Sequence, residues 1–292
     1  MNSENSEKKH RIMGIGAHPD DIEIVAGGLS LLGKKLGYTF KFVSVTNGNV
    51  GHHIIPPDEL SKIRLKEAQN AAKALGGEFE SLNVDDGYVF VNKEQTEKVV
   101  RVIREFDPDL LITHRPYSYH RDHRYTGVLV MDASYMLVVP HYCPDAPISP
   151  SRQMPVICYA YDDFIKPYPL EPHVILDITN VYDKKIKGIS HHTSQIMEWI
   201  PWTVRREDEF SSPFSEKDKE SAASLIETTY FSTAITRYRS LIKKGYPEKK
   251  VKNIEVYEIC EYGKIPSKKE LQELFPGAFI PSKKQLKTFM DN

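Results

Sequence analysis

Residues 11–28 read RIMGIGAHPDDIEIVAGG, and this stretch decides how the rest of the chain is organised. The apolar run over residues 12–15 predicts a buried strand, the small residues after it allow a tight turn, and the segment that follows can be helical. Strand, turn and helix form the first unit of an open α/β sheet, which binds ligands at the carboxyl ends of its strands. His18, Asp20 and Asp21 stand at that turn. One Asp is enough to cap a helix, so the cluster predicts a functional site, and a simple capping turn is the alternative.

The same alternation of strands and helices continues along the chain. Strands are predicted at residues 40–45, 79–84, 110–113, 156–161, 173–178 and 256–259, and helices at residues 22–36, 61–75, 93–106, 183–199 and 215–243. The order implies an α/β fold with a Rossmann-like, open, mostly parallel sheet, helices on both faces and a C-terminal elaboration.

The expected domain organisation follows from where this pattern is strong. We expect a flexible segment over residues 1–10 and a single domain over residues 11–292. The core of that domain spans about residues 11–195, and the C-terminal elaboration spans about residues 196–292, where the pattern weakens.

Composition narrows the class of protein. The 292 residues are 40% hydrophobic and 27% charged, which is typical of a globular protein. The net charge is −1, so the sequence has no excess of basic residues for binding nucleic acid. No apolar run is long enough to span a bilayer, and the polar start of the sequence lacks the apolar region of a signal peptide. The three cysteines are far apart and contain no CxxC pair, which disfavours a disulfide framework or a zinc ribbon. We therefore expect a cytoplasmic protein, with homo-oligomerisation left open.

A second polar cluster follows the strand predicted at residues 110–113. His120, Asp122 and His123 lie there, and they share the sheet edge of the first cluster because carboxyl ends of parallel strands meet at one edge. A pair of surface histidines is the simpler alternative for this motif taken alone. Together the clusters offer two His and one Asp, the three-ligand pattern of catalytic zinc, and Asp122 can orient an imidazole.

Each cluster also holds a residue that the metal does not need. One member of the pair Asp20 and Asp21, and one of His120 and His123, remain free to act as acid or base. A spare carboxylate takes the proton of a water molecule activated by the metal, and a spare histidine stabilises an oxyanion or protonates a leaving amine. This set of groups suits the hydrolysis of an amide.

Aromatic and histidine residues near these clusters are candidates for the pocket. Tyr117 and Tyr119 precede the second cluster, and we expect them to form part of the pocket wall, where aromatic rings stack on sugar rings. Packing beneath the loop is nearly as good an explanation. His52 and His53 follow the second predicted strand, and the sequence leaves open whether they line the pocket or belong to a solvated loop.

The two motifs resemble the PIG-L/LmbE family of zinc-dependent N-acetylglucosamine deacetylases. The resemblance rests on AHPDD at residues 17–21 and HRDH at residues 120–123, supported by TNG at residues 46–48 and HTSQ at residues 192–195. It implies a hydrolase that removes the N-acetyl group from a small N-acetylglucosamine-containing sugar or sugar conjugate. It also implies one Zn²⁺, or another divalent metal, per chain.

The resemblance assigns roles that the residue pattern leaves open. His18, Asp21 and His123 are the implied metal ligands. Asp20 is the implied general base and His120 the implied oxyanion stabiliser or acid. Arg64 stands where the family often has an arginine that contacts the substrate.

Three alternatives remain. An amidase of the same family acting on a larger conjugate has the same motifs, and a non-catalytic metal-binding or carbohydrate-binding module needs the ligands without the spare groups. A dinucleotide-binding protein is the third, because Gly14 and Gly16 follow a strand. Its GxGxxG fingerprint, however, requires glycine where this chain has Pro19.

Overall fold

The computed structural model describes residues 9–210, 215–226 and 232–290. Most of the segment predicted to be flexible, residues 1–10, therefore lies outside the described residues. Among the helices in these ranges, none is both long and apolar enough to cross a membrane.

The described residues form one sheet of seven strands in the order β3-β2-β1-β4-β5-β7-β6. The strands are β1 (Arg11–Gly16), β2 (Thr39–Thr46), β3 (Glu78–Val84), β4 (Leu110–Thr113), β5 (Val156–Ala160), β6 (Val174–Asp177) and β7 (Ile254–Cys260). The first five pair in parallel, and β7 lies antiparallel between β5 and β6. This arrangement confirms the predicted α/β fold with a mostly parallel sheet.

Helices cover both faces of the sheet. They are α1 (Asp21–Lys35), α2 (Pro57–Leu75), α3 (Lys93–Phe106), α4 (Arg121–Met136), α5 (Tyr182–Ile189), α6 (Ile200–Thr203), α7 (Glu216–Ile226), α8 (Ser232–Arg237), α9 (Arg239–Gly245), α10 (Lys268–Leu274) and α11 (Lys283–Met290). Helices α1, α2 and α5 pack together on one face, and α3 packs with α4 on the other. An apolar core lies between the sheet and each group of helices. Two cores form because successive side chains of a strand point to opposite faces of the sheet.

Two predicted helices differ from the observed ones. The prediction over residues 183–199 is observed as α5 followed, after a break, by a π-helix at Ser194–Trp199. The prediction over residues 215–243 corresponds to α7, α8 and α9, with residues 227–231 outside the described ranges. Apolar periodicity identifies a helical face, but it does not locate breaks that tertiary contacts impose.

Strand β7 belongs to the segment predicted to be a C-terminal elaboration, yet it pairs inside the main sheet. It carries Glu255, whose carboxylate accepts from the backbone N–H groups of Gly28 and Leu29 at 2.8 and 2.9 Å. The Lys185 ammonium donates to the same carboxylate at 2.6 Å, and both side chains are buried. These contacts join α1, α5 and β7.

Strand order reverses between β1 and β4, where ligands bind in open α/β sheets. Gly16 lets α1 approach β1, because a Cβ there would lie 2.7 Å from the Cβ of Asp21. A Cβ on Gly14 would lie 2.2 Å from Ile22. The two glycines are thus required for the close packing of α1 on β1. Gly127 similarly lets α4 pack directly on the backbone carbonyl of His114.

Candidate metal centre

Three side chains meet where β1 and β4 end. His18 Nδ1 lies 3.3 Å from His123 Nε2 and 3.5 Å from Asp21 Oδ2, and His123 Nε2 lies 3.4 Å from Asp21 Oδ1. Tetrahedral zinc with metal–ligand distances of about 2.0–2.1 Å separates its ligand atoms by about 3.3–3.4 Å. The His18–His123 distance and the nitrogen and oxygen donor set therefore suit zinc, while the two histidines contact different oxygens of the Asp21 carboxylate.

Backbone and imidazole contacts orient the Asp21 carboxylate. Its Oδ2 accepts from the His18 backbone N–H at 2.7 Å and lies 3.0 Å from His114 Nε2. Burial alone would raise the pKa of Asp21, but His123 and His114 hold that pKa well below its ordinary value. Oδ1 remains available beside His123 Nε2, whereas the contact of His18 Nδ1 is with Oδ2.

Each imidazole of the cluster is fixed through its second ring nitrogen. His18 Nε2 lies 3.1 Å from Asp86 Oδ1, and His123 Nδ1 lies 3.2 Å from the Ser118 hydroxyl. Burial by itself would raise the pKa of Asp86, but the hydrogen bond from His18 lowers it. A carboxylate behind a ligating histidine is the usual way in which proteins set its tautomer and direction. The arrangement leaves His18 Nδ1 and His123 Nε2 as the inward-facing donor atoms.

Asp122 lies on the Nε2 side of the His18 ring. Its side chain is fully buried, and Oδ2 accepts from the Gly87 backbone N–H at 2.6 Å and lies 3.7 Å from His18 Nε2. Asp122 therefore fixes the turn that carries Asp86, in line with an orienting role.

Within the described residues, three overlapping groups have ligand-type atoms within 4.8 Å of one another. They are His18, His120 and His123; Asp21, His114 and His123; and His18, Asp86 and Asp122. His18 or His123 belongs to each group, so these two histidines are the centre of the cluster.

Asp20 adopts an unusual backbone conformation beside the cluster. It has a φ of +132° and makes no side-chain cap to α1, which excludes the capping alternative for this residue. Non-glycine residues in such conformations are strained and accumulate at functional sites. Burial raises the pKa of Asp20 to about 6, although Arg64, 3.3 Å away, opposes the shift.

Arg64 lies behind Asp20 rather than in an open pocket. It is only 2% exposed, and it donates to the backbone carbonyls of Pro19 and Gly48 at 2.7 and 3.2 Å. These contacts hold the Arg64 guanidinium beside Asp20 and the turn that precedes it. A direct contact between Arg64 and a substrate stays a prediction.

His120 has one ring nitrogen committed to the backbone. As the N-cap of α4 it accepts from the Asp122 N–H through Nδ1 at 3.1 Å. Burial and the neighbouring His18 and His123 lower the pKa of His120, which favours the neutral ring. A neutral ring that accepts through Nδ1 carries its hydrogen on Nε2. His120 is therefore arranged as a hydrogen-bond donor.

The two tyrosines before His120 lie in different places. The Tyr119 ring centre is 5.0 Å from that of His123, at the rim of the cluster, and 65% of the residue is exposed. Tyr117 instead packs edge-on against Tyr168. The structure thus brings one tyrosine to the cluster, and the role of both in binding stays a prediction.

Sequence reasoning assigned no site role to His114 and Asp86, which lie in contact with predicted ligands. Both follow predicted strands at the same sheet edge as the ligands, and that position is the signal that could have identified them. The clustered side chains define a candidate catalytic metal centre on a Rossmann-like sheet.

Comparisons with known proteins agree with an enzyme of this fold. Residues 13–134 match the model of the PIG-L family, described as GlcNAc-PI de-N-acetylase. Diacetylchitobiose deacetylase of Thermococcus kodakarensis is 27% identical over 203 residues, 66% of this chain and 73% of that enzyme. The 4-oxalmesaconate hydratase of Pseudomonas putida is 27% identical over 211 residues, 68% of this chain and 79% of that enzyme.

A solved structure shares the fold. The N,N'-diacetylchitobiose deacetylase of Pyrococcus horikoshii superposes with a TM-score of 0.67 and 23% identity, covering 90% of this chain and 88% of that one. The segment that matches the PIG-L family model contains both motifs, AHPDD at residues 17–21 and HRDH at residues 120–123.

Metal binding at this cluster is expected to strengthen as pH rises. Burial would lower the pKa of His18, but hydrogen bonds to Asp122, Asp21 and Asp86 raise it well above 6.5. A ligand must lose its proton to bind metal, so below that pKa each unit of pH should change the apparent affinity up to about tenfold. Competition with a chromophoric chelator at several pH values measures this slope, and an affinity independent of pH would contradict it.

Proposed function

We propose that the protein is a metal-dependent N-deacetylase that removes the acetyl group from an N-acetylglucosamine-containing sugar or sugar conjugate. The observation that supports this most is the cluster of three ligand-type side chains spaced by 3.3–3.5 Å beside Asp20. The family description and the deacetylase relative name the same reaction for related proteins.

His18, Asp21 and His123 would hold the metal. A zinc ion bound there supplies Lewis acidity and brings the deprotonation of water into the neutral range. Asp20, with a pKa raised to about 6, accepts the proton of the attacking water at its carboxylate. His120 donates its Nε2–H to the oxygen that becomes negative as the amide carbon turns tetrahedral.

A hydratase is the second candidate function, because the hydratase relative is as similar in sequence as the deacetylase relative. Addition of water to an unsaturated acid also needs a positioned base, so Asp20 would serve both reactions. The acid's carboxylate needs a cationic partner, whereas the nearby Arg64 is buried and already paired with Asp20. This pairing favours the deacetylase.

The test is an assay of free amine and acetate release from N-acetylglucosamine, N,N'-diacetylchitobiose and sugar conjugates with added zinc. Loss of ultraviolet absorbance from a conjugated unsaturated acid measures the competing hydratase. Amine release supports the proposal, release of a larger acyl group assigns the amidase, and hydration without amine release overturns the deacetylase.

Substitution of a predicted ligand should remove the metal. His123→Ala is expected to lose bound zinc, and Asp21→Ala is expected to lower zinc affinity with activity partly restored at high zinc. His141→Ala is the matched control, because His141 is exposed outside the cluster. Elemental analysis of the purified proteins measures the ion, and an unchanged metal content in His123→Ala would contradict the ligand assignment.

A further inference from the structure

Four rings stack beside the loop that follows β2. The ring centres of His52 and His53 are 4.7 Å apart, and those of His53 and Trp202 are also 4.7 Å apart with an interplanar angle of 8°. Trp199 stacks on Trp202 at 5.1 Å and 19°. Trp202 is 42% exposed and His53 is exposed as well. We call His53, Trp199 and Trp202 the aromatic platform.

The π-helix holds this platform in place. Glu198 Oε2 lies 2.9 Å from His52 Nε2, and the Gln195 amide donates to the Gly51 carbonyl at 2.9 Å. His52 Nδ1 accepts from the backbone N–H groups of Ile54 and Ile55. Both nitrogens of His52 are therefore engaged, and the ring acts as a fixed support for His53. Helical segments of this kind are rare and occur often at functional sites.

The supporting loop also contacts the catalytic side of the metal centre. A Cβ on Gly51 would lie 2.9 Å from the Arg64 guanidinium and 3.5 Å from Asp86 Oδ2. The Asn49 side chain accepts from the Asp86 backbone N–H at 3.0 Å. His53 follows Gly51 by two residues, a span of at most about 7 Å. The loop that contacts Arg64 and Asp86 therefore also carries His53 of the aromatic platform.

We propose that the aromatic platform is a subsite for a second sugar ring. A pyranose presents a face of C–H groups, and these pack on the negative faces of aromatic rings. The inference rests on the proposed function, and it makes the substrate a two-ring glycoside or a longer sugar conjugate rather than N-acetylglucosamine alone. Because the rings are already held in place, little side-chain entropy is lost on binding.

The sequence provides a direct readout, because the platform contains both tryptophans of the chain. When tryptophan is excited selectively, the intrinsic fluorescence comes only from Trp199 and Trp202. We expect titration of the metal-loaded protein with chitobiose, the fully deacetylated two-ring sugar, to change this fluorescence saturably. Its dissociation constant should be about tenfold or more below that of glucosamine. Equal binding of the one-ring and two-ring sugars would overturn the proposal.

Substitution of Trp202 tests the second-ring subsite by steady-state kinetics. Trp202→Ala should raise KM for N,N'-diacetylchitobiose about tenfold and leave kcat/KM for N-acetylglucosamine unchanged, and Trp202→Phe should restore most of the loss. Tyr262→Ala is the matched control, because Tyr262 is 59% exposed and follows antiparallel β7, at the opposite edge of the sheet. Equal effects on both substrates, or none, would overturn the subsite.

The outcomes separate the two proposals. Preferential chitobiose binding with no amine release from any sugar would refute the deacetylase and leave the subsite standing. Amine release with no preference for two rings would refute the subsite alone. Tighter binding of an octyl glycoside than of chitobiose would assign the aromatic platform to an acyl chain and also overturn the sugar subsite.

Discussion

Asp20→Asn is expected to lower kcat by about 10²–10⁴-fold while the protein keeps its metal, the usual contribution of a positioned base. Asn preserves the volume of the side chain, and it is among the non-glycine residues that most often adopt a positive φ, which is +132° at this position. Its amide cannot accept a proton. Amine release measures the loss of turnover, and elemental analysis measures the retained metal.

The pH dependence gives an independent check on Asp20. Burial raises its pKa to about 6, so the carboxylate becomes protonated, and inactive as a base, as pH falls through that value. With zinc kept saturating at each pH, so that loss of the metal does not contribute, kcat/KM of the wild type should therefore decrease below about pH 6, and the residual activity of Asp20→Asn should lack this acidic limb.

Two further variants separate the base from its neighbours. Asp132→Asn is the matched control, because Asp132 is an exposed carboxylate on α4, the helix that also carries His123. It should leave kcat unchanged. His120→Ala should keep the metal and lose about 10²–10³-fold in kcat, as the removal of an oxyanion donor does. Near-wild-type turnover in Asp20→Asn would place the base elsewhere and refute the mechanism.

The sequence predicted the position of the metal centre because two polar motifs directly follow strands. In a parallel sheet, strand ends meet at one edge, so residues about a hundred positions apart, such as His18 and His123, are brought together by topology. Periodicity was sufficient for β1 to β4 and for the helices between them. The predicted resemblance to the PIG-L family agrees with the match of residues 13–134 to that family's model.

The remaining features depend on contacts that one sequence does not encode locally. Antiparallel insertion of β7 between β5 and β6 follows from sheet pairing, about which a short strand-forming segment such as residues 256–259 contains no information. The contact between Glu198 and His52 joins residues 146 positions apart. Sequence reasoning therefore left His52 and His53 undecided.

The buried Lys185–Glu255 pair is expected to produce the largest effect on stability. Lys185→Met should lower the free energy of unfolding by about 3–5 kcal/mol, because it leaves the Glu255 carboxylate buried without its cationic partner. The Nζ–Oε1 distance is 2.6 Å and Lys185 is fully buried, so water does not replace the ammonium. Urea unfolding measures the change, with the slope of the transition as a check on two-state behaviour.

Two variants test whether the charge of this pair, and not the packing of the lysine chain, determines the loss. Lys184→Met is the matched control, because it makes the same substitution at an exposed position of the same helix, and it should change stability by less than about 0.5 kcal/mol. Adding Glu255→Gln to Lys185→Met removes the uncompensated charge and keeps an oxygen that can accept from the Gly28 or Leu29 N–H. The double variant should therefore be more stable than Lys185→Met alone, since the two sites are in contact and their effects do not add. A double variant that is less stable than Lys185→Met would show that a neutral amide fits the donors of Gly28, Leu29 and Tyr257 worse than the unpaired carboxylate does, and the cost given to the uncompensated charge would be wrong.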